Sequence, residues 1–437
     1  MLDLLLSTLK TFKDVEYLIR ETKTRQIENY NIKKQSEMSR EIETILISLT
    51  LYVVFSEKNE SGEDIKYRGS YNIDIHPGTT AEEIKNIITQ GIYAAGFVKN
   101  AYFPLVSPTP VIPAKNNDAN MEKALADLQA ALFASDNQVQ GHLSYSEFFV
   151  TQNNVRIINS NGVDVNYTTH SAFIETAVHY PTPGGGEIEI SEAFRFSLDS
   201  TAADMLKNRI ANLFITAAKK AEAKPTPAVG DINILLSGEC LSTFFSYYHS
   251  CANAQLVYQQ LSTFKENTEV QGSSTSDRIS MILDPGMKGS SHSLPYDDHG
   301  QPLQSHEIIK DGKLLKYWGD TRFASYLGIE PTGRITNINV TGGTATTDDL
   351  RKEPYLELVS FSDFQADSIT GDFGSEIRLG FYFDGRTIIP VTGGSISGNI
   401  ANVHKGLRMS QSLTQYNNYR GPATICIKGV TISGAAS

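Results

Sequence analysis

The stretch Gly371–Asn399 constrains the fold of this chain more than any other part of its sequence. It places the dipeptide Asp384-Gly385 between two alternating apolar runs, Ile377–Phe383 and Thr387–Val391. Such an arrangement is the strongest short-range signal for a β-hairpin. The stretch carries six further glycines, which in strands are typical of tight corners and of close backbone approach. We therefore expect a hairpin in a β-rich region that bends at its glycines.

The composition of the chain limits the class of protein. Its 437 residues predict more than one domain. The net charge of −11 argues against a general nucleic-acid binder, so we expect no direct contact with nucleic acid. The cysteines Cys240, Cys251 and Cys426 are too few and too scattered for a disulfide framework and favour a reducing cytoplasm. We find no signal-peptide pattern and no apolar run near the ~20 residues that span a bilayer, so we expect a cytoplasmic protein without membrane contact.

The sequence predicts the fold class α+β and three domains, 1–104, 115–222 and 230–437. The first is an N-terminal α/β domain with an antiparallel sheet, the second a central α+β segment, and the third a C-terminal, mostly β, barrel-like domain. The boundaries are the proline-rich stretch Ala101–Ala114 and the linker Ala223–Gly230. Many short strands with glycine turns in the third domain are typical of a barrel or sandwich.

Local patterns predict several individual elements. Thr80 with Glu83 forms a capping box that begins a helix. Apolar periodicity predicts helices over Met121–Phe133 and Leu241–Thr263. Further predicted elements are a helix from Asp199 or Ser200 to Ala223 and strands at Glu43–Phe55, Lys66–Ile75, Ser144–Thr151, Val155–Asn159, Val163–Thr168, Phe173–Tyr180 and Ile232–Leu236.

Three short stretches contain residues that could carry chemistry. The run from His306 to Lys310 begins like the zinc helix HExxH, but lysine takes the fifth position and the run is better interpreted as a strand. Asp297-Asp298-His299 places two carboxylates beside an imidazole, and we favour a turn whose side chains bond their own backbone over a metal or proton-transfer site. Cys240 precedes a helix, and we favour a buried inert thiol over a reactive one. These residues establish no catalytic motif.

Four groups of C-terminal segments occur in an order that resembles the TldD/TldE (PmbA) family, also described as modulators of DNA gyrase. These segments are Asp297–Pro302; Ile308–Leu315 with Asp320–Ala324 and Thr332–Arg334; Thr370–Phe373 with Phe383–Val391; and Gly421–Thr424 with Val430–Gly434. In the centre of the chain, Ser160–Val163 resembles the N-S-x-G turn of the family. Each motif is weak alone, and it is their order that carries the resemblance.

The resemblance implies a two-subunit cytoplasmic peptidase in which the TldD-type subunit carries a zinc helix, HExxxH. In this chain the corresponding place is Leu241–His249, where only His249 could stand in for a ligand. Phe244 or Phe245 lies where a ligand and the general base would be required. The chain therefore resembles the TldE (PmbA) type, and we expect neither a catalytic residue nor a metal ligand in it, with zinc bound by the partner subunit. Whether the chain is an enzyme by itself stays open.

The expected role of such a subunit is to help enclose and hold unfolded peptide for proteolysis. The candidate wall for substrate consists of Gly371, Asp372 and Phe373 with Gly393 and Gly394, because extended peptides are commonly held by adding a strand to a sheet edge. The expected partner is a TldD-like HExxxH subunit in a heterodimer, and a homodimer is a further arrangement open to the chain alone.

Two alternatives remain open at this point. A regulatory binding protein, a modulator of DNA gyrase that acts through protein–protein contacts, would also need no catalytic motif. An independent hydrolase would use Asp297, Asp298 or His299.

Overall fold

The computed structural model describes residues 1–110, 119–273 and 277–435. The chain is a mixed α+β protein, which confirms the predicted fold class. Its helices are α1 (Leu2–Leu9), α2 (Ala81–Ala95), α3 (Met121–Ala134), α4 (Ala202–Ala221), α5 (Cys240–Cys251), α6 (Ala254–Tyr258), α7 (Thr321–Leu327), α8 (Thr347–Leu350) and α9 (Ile400–Val403), with a 3₁₀ turn at His404–Gly406.

The strands occur mostly in groups between these helices. They are β1 (Val15–Ile32), β2 (Gln35–Lys58), β3 (Asp64–Ile75), β4 (His142–Asn159), β5 (Asp164–Pro181), β6 (Glu187–Ser197), β7 (Lys224–Pro225), β8 (Asn233–Ser237), β9 (Met281–Leu283), β10 (His306–Lys310), β11 (Lys313–Leu314), β12 (Ile338–Val340), β13 (Tyr355–Phe361), β14 (Gln365–Ala366), β15 (Asp372–Phe383), β16 (Ile388–Thr392), β17 (Ser395–Asn399), β18 (Arg408–Met409), β19 (Leu413–Tyr416), β20 (Tyr419–Pro422), β21 (Thr424–Ile427) and β22 (Thr431–Ser433).

The N-terminal half forms an antiparallel sheet with the strand order β3-β2-β1-β4-β5-β6. Alternation along the strands gives the sheet one apolar face: Ile47, Leu49 and Leu51 of β2 are fully buried. Helices α1 and α2 cover one part of this face, and α3 and α4 cover the other. The helices thus follow from the need of an amphipathic sheet to bury one side.

The predicted helix starts in this half are confirmed in part. The capping box before α2 is present: Thr80 N–H donates to the Glu83 carboxylate at 2.8 Å and Glu83 N–H donates to the Thr80 hydroxyl at 3.3 Å. Helix α4 begins at Ala202, later than predicted. Asp199 lies before that helix and accepts the N–H of Thr201 at 2.8 Å in a local turn.

The predicted short strands are joined into longer ones. Ser144–Thr151 and Val155–Asn159 belong to β4, and Val163–Thr168 and Phe173–Tyr180 belong to β5. The polar residues between them stay in register, as Asn153 opposite Thr169 shows. Backbone pairing therefore continues through the polar residues, although the apolar pattern is interrupted there.

The first two predicted domains share this sheet. Strand β1 pairs with β4 from Leu18 opposite Asn159 to Ile32 opposite Tyr145. Part of the boundary predicted between them, residues 111–118, lies outside the described residues. The division into domains 1–104, 115–222 and 230–437 stays a prediction, but its first boundary does not separate two sheets.

The C-terminal half contains two sheets with α5 between them. One sheet has the order β11-β10-β9-β12-β20-β19, and the other runs β18-β21-β8-β13-β15-β16-β7 along its main path. Phe245 of α5 stacks on Tyr419 of β20 with ring centroids 5.7 Å apart, and Phe244 packs against Phe373 of β15 at 6.3 Å. Helix α5 therefore supplies the aromatic centre of the C-terminal core.

The hairpin predicted in Gly371–Asn399 is present. Strands β15 and β16 pair antiparallel, with Phe383 opposite Ile388. At the turn, Gly385 has a φ of +98°, a conformation that favours glycine. A further hairpin, at Asp311-Gly312, joins β10 and β11, so His306–Lys310 is a strand, as the sequence favours.

The continuous helix predicted over Leu241–Thr263 is wrong. It is replaced by α5 and the short α6, with a break at Ala252 and Asn253. At the break the Ala252 carbonyl accepts the N–H of Trp318 at 3.0 Å, and Ala254 N–H donates back to the Trp318 carbonyl at 2.8 Å. A backbone contact from a distant segment thus takes the groups that would have continued the helix.

Candidate functional site

A cleft of about 880 Å³ opens between the N-terminal sheet and the C-terminal half. One wall consists of β6 and α4, and the other of the β8–α5 junction, β13 and parts of β15 and β19. A cleft of this size at a junction between structural units is a common place for ligand binding. It is therefore the candidate functional site of the described residues.

Arg209 of α4 lies at the centre of the charged groups in this cleft. Its guanidinium is 3.6 Å from the Glu192 carboxylate of β6 and 3.8 Å from the Glu239 carboxylate at the start of α5. The same group lies over the ring of Tyr416 at 3.9 Å and donates to the Gln415 carbonyl at 3.4 Å. One cation thus joins both walls of the cleft.

Burial changes the protonation of the two carboxyl groups. It raises the pKa of Glu192 to about 7, against a smaller lowering by the Arg209 charge. Burial also raises the pKa of Glu239. Desolvation disfavours the ionised form of a carboxyl group, and such groups in clefts are candidates for functional sites. Near neutral pH, Glu192 can therefore donate or accept a hydrogen bond.

A second polar group lies at the β8 side of the cleft. The Ser237 hydroxyl donates to the Glu357 carboxylate at 2.8 Å and shares a hydrogen bond with Thr424 at 2.9 Å. Arg351 donates twice to the same carboxylate, at 2.8 and 2.7 Å. Every member of this network is engaged, so it fixes the shape of the wall rather than presenting a free nucleophile.

Cys240 follows directly, at the start of α5. Its thiol is buried, donates to the Ser237 carbonyl at 3.3 Å, and has a pKa raised by burial. Because the thiolate is the reactive form of cysteine, this thiol is inert, as the sequence favours. The charged and hydrogen-bonding side chains described above are therefore what the cleft offers to a ligand.

A smaller cavity of about 550 Å³ continues the cleft along α4. It shares Arg209 and Tyr416 with the larger cleft and adds Lys288 and Arg420. The two spaces together line a groove between α4 and the edge strand β19.

Sequence reasoning missed these cleft residues, although one signal was present. The inward positions of β6 are Ile188, Ile190, Glu192, Phe194 and Phe196. A carboxylate in the middle of a row of apolar residues is unusual, because a buried charge is rarely left unpaired. Its presence in the sequence therefore indicates a polar partner elsewhere in the chain. Its partner, Arg209, is remote in sequence and could not be identified from the pattern alone.

The predicted wall residues lie elsewhere in the C-terminal half. Gly371, Asp372 and Phe373 form the start of β15, where Asp372 accepts the side-chain amide of Asn399 at 2.8 Å. Phe373 is buried against Phe244. These side chains line neither of the two cavities.

Gly393 and Gly394 form the turn between β16 and β17. Both have positive φ, +80° and +75°. A Cβ on Gly394 would overlap the carbonyl of Ser433, and one on Gly393 would lie 3.0 Å from Ala435. The close backbone approach expected here is thus made by the C-terminal strand β22 of the same chain. Peptide binding by these five residues stays a prediction.

Helix α5 occupies the place where the resemblance puts a zinc helix. Its only histidine, His249, donates from Nε2 to the Ile335 carbonyl at 2.8 Å and stacks on Trp318 at 4.2 Å, and burial lowers its pKa to about 4. Cys251 donates to the Ser368 carbonyl at 3.4 Å. In the described part of the chain, no three His, Cys, Asp or Glu side chains lie close enough to hold a metal ion. The residues of α5 do not fit a zinc site.

The turn at Asp297–His299 connects the two halves of the protein. Asp297 is buried and accepts the N–H groups of His299 and Gln301, each at 2.9 Å. Asp298 pairs with Arg20 of β1 at 3.1 Å. The favoured interpretation as a turn is confirmed, and the structure uses these carboxylates for docking.

Within residues 1–110, 119–273 and 277–435, no helix has the length and apolar composition required to cross a membrane.

Comparison with known proteins relates the C-terminal half to one family. Residues 229–434 match the family described as PmbA/TldA metallopeptidase C-terminal domain. The chain is 26% identical over 291 residues to an uncharacterized protein of Methanocaldococcus jannaschii, a match that covers 64% of this chain and 66% of the relative. It is 26% identical over 159 residues to the metalloprotease TldD homolog of Buchnera aphidicola, covering 32% of this chain and 33% of the relative. The matches thus span just under two thirds of the first relative and about one third of the second.

The fold resembles solved structures over nearly the whole chain. TldE from Thermococcus kodakarensis superposes with a TM-score of 0.74 at 16% identity, covering 99% of this chain and 100% of the other. A protein from Thermotoga maritima, proposed to be a modulator of a DNA gyrase, gives a TM-score of 0.74 at 16% identity and covers 99% of both chains. At this level of identity the likeness shows the fold alone.

Proposed function

We propose that this chain, whose residues 229–434 match the PmbA/TldA metallopeptidase C-terminal domain family, is a TldE/PmbA-type subunit of a two-subunit zinc peptidase. It helps enclose the substrate and holds unfolded peptide, while a TldD-like partner with an HExxxH helix binds the zinc. In this role the chain has no catalytic residue of its own.

The observation that carries this proposal is the chemistry of α5. Where the resemblance places metal ligands and a general base, the helix contributes Phe244, Phe245 and Tyr248, all fully buried. The one imidazole of the helix is held by a backbone carbonyl and a stacked indole ring. A catalytic zinc site needs three protein ligands and an open position, and an aromatic core helix offers neither.

The cleft supports the part of the proposal that concerns peptide. It is polar and carries fixed carboxylates and guanidinium groups from both of its walls. Such groups bind and orient a chain without cleaving it, which is the division of labour expected for a subunit that depends on its partner. The glycine wall Gly371–Phe373 with Gly393 and Gly394 remains a second proposed contact for the same peptide.

The test is a comparison of the chain, a TldD-like HExxxH homologue from the same source, and the co-expressed pair. We expect the two chains to co-purify, and a fluorogenic unfolded peptide to be cleaved by the pair at least tenfold faster than by either chain alone. Zinc should be found with the pair and be absent from this chain alone. Full peptidase activity of this chain by itself after metal stripping and zinc return would refute the proposal.

The regulatory alternative rests on a modulator role proposed for a structural neighbour. It predicts a topoisomerase-related partner that is captured from lysate with equal yield in the presence and absence of the TldD homologue. Capture that depends on the TldD homologue would favour the peptidase role.

A further inference from the structure

Strand β6 is an edge of the N-terminal sheet, and among the described strands it pairs with β5 alone. It is eleven residues long, from Glu187 to Ser197. An edge strand presents unpaired N–H and C=O groups that can pair with another extended chain. Whether β6 does so depends on which groups point outward and what they meet.

The register identifies the outward groups. In the loop between β5 and β6, Thr182 N–H donates to the Gly186 carbonyl at 2.8 Å. From this pair onward, hydrogen-bonded pairs between two antiparallel strands recur at every second residue, so the even-numbered residues of β6 bond to β5. Outward groups therefore belong to the odd-numbered residues, which the bond from Ser197 N–H to the Gly289 carbonyl at 3.0 Å supports. The remaining outward positions are Glu187, Glu189, Ser191, Ala193 and Arg195.

These outward groups are free along most of the strand. Within the described residues, the backbone of Glu189, Ser191, Ala193 and Arg195 makes no hydrogen bond on this side. The charged residues lie towards the two ends, and charge is a common protection of edges. The middle of the strand carries the small residues Ser191 and Ala193, both exposed and both lining the large cleft. The side chain of Glu192, between them, faces inward and pairs with Arg209, so no outward charge guards the edge where it opens into the cleft.

The charges around this edge select the partner. Glu187 and Glu189 stand at one end of β6, and Glu192 and Glu239 line the cleft beside it. The cations that line the cleft are Arg209, which is shared by two carboxylates, Lys219, and Arg351, which donates to Glu357. Near the other end of β6, Arg195 lies over the Phe173 ring at 4.1 Å. The end of the edge near Glu187 is therefore acidic and suits a cationic segment.

We propose that the free edge of β6 binds an extended peptide segment with basic side chains, which adds to the N-terminal sheet as a further strand inside the cleft. The backbone of Ser191 and Ala193 supplies the central hydrogen bonds. This site deepens the proposed function, on which it rests, because it assigns the peptide to a surface other than the glycine wall.

The test measures binding to the full chain without its partner by fluorescence anisotropy. The probe is a fluorescein-labelled decapeptide of alternating lysine and valine. Ala193→Pro removes one outward N–H donor and places a proline ring where the added peptide strand would pair. The variant should still fold, because an edge strand tolerates proline at a position whose N–H faces outward. Asn72→Pro on β3, the opposite edge of the same sheet, is the matched control. Asn72 is exposed, and its N–H faces outward by alternation from Arg68, whose N–H donates away from β2 to the Asn100 carbonyl at 2.9 Å.

We expect Ala193→Pro to weaken binding at least tenfold and Asn72→Pro to leave it within twofold. A decapeptide of alternating glutamate and valine should bind at least tenfold more weakly. If Ala193→Pro fails to fold, the unmodified chain is tested with the lysine–valine peptide N-methylated at alternate residues, which should lose at least tenfold in affinity. Equal binding by Ala193→Pro, or by the N-methylated peptide, would overturn the inference. Either result leaves the partner-dependent peptidase role standing, because that role is measured by cleavage in the pair.

Discussion

Replacing Glu192 by glutamine should make the stability of this protein less dependent on pH. Glu192 is the carboxylate in the apolar row of β6, and its pKa is raised to about 7 by burial. The folded state therefore binds its proton more tightly than the unfolded state does. Stability from this group is fully present below pH 4.5, the ordinary pKa of the group, and is lost as the pH rises towards 7.

The magnitude follows from the same values. Moving a carboxyl pKa from 4.5 to about 7, at about 1.36 kcal/mol for each pKa unit, corresponds to roughly 3.4 kcal/mol for a fully enclosed group. The Glu192 side chain keeps 28% of its exposure, so solvent screens part of this penalty. We expect about 2 kcal/mol to remain.

The assay is urea unfolding of the original chain and Glu192→Gln at pH 4 and pH 8. The two should unfold with similar free energies at pH 4, where the carboxyl is protonated in both states. At pH 8, Glu192→Gln should be more stable by about 2 kcal/mol. Glu60→Gln, at an exposed turn residue, is the control and should match the original chain at both values of pH.

A loss of stability in Glu192→Gln at pH 8 would contradict a net destabilisation by the buried carboxylate. It would mean that the ion pair with Arg209, at 3.6 Å, stabilises the fold by more than the burial of the carboxylate destabilises it. Equal stability at both values of pH would likewise contradict a pKa raised by burial.

Two further substitutions test the C-terminal half by thermal and urea unfolding. Gly394→Ala should destabilise the chain by roughly 2 kcal/mol or more, because its φ is +75° and the new Cβ would overlap the Ser433 carbonyl. The control is Gly230→Ala, where a Cβ meets open space, and it should be neutral within about 0.5 kcal/mol. Equal effects of the two substitutions would show that β22 does not pack against Gly394. Phe245→Ala should lower the free energy of unfolding by about 3–5 kcal/mol, because the ring is fully buried and stacks on Tyr419. A decrease of less than about 1 kcal/mol would contradict a core role for α5.

Features set by neighbouring residues could be predicted from the sequence. The hairpin at Asp384-Gly385 needs only its turn residues and two flanking runs, and the box of Thr80 with Glu83 needs only one helical turn. Both are present.

Features set by distant contacts could not be predicted in this way. The helix after Cys240 ends early because Trp318 takes the backbone groups at Ala252, and nothing near Ala252 in sequence signals this. The cleft depends on Arg209 meeting Glu192 and Glu239 across three elements. Spacing along one chain does not reveal such a meeting.

In the proposed function, this chain contributes peptide binding and its partner contributes the metal. The most direct measurement is a titration of this chain into a fixed amount of the zinc-loaded TldD-like homologue, with cleavage of an unfolded peptide as the readout. We expect activity to rise from a low level and to saturate at one chain per partner, with no cleavage by this chain and zinc alone. Cleavage by this chain with zinc in the absence of the partner, or a partner whose activity does not change on its addition, would contradict the proposed function.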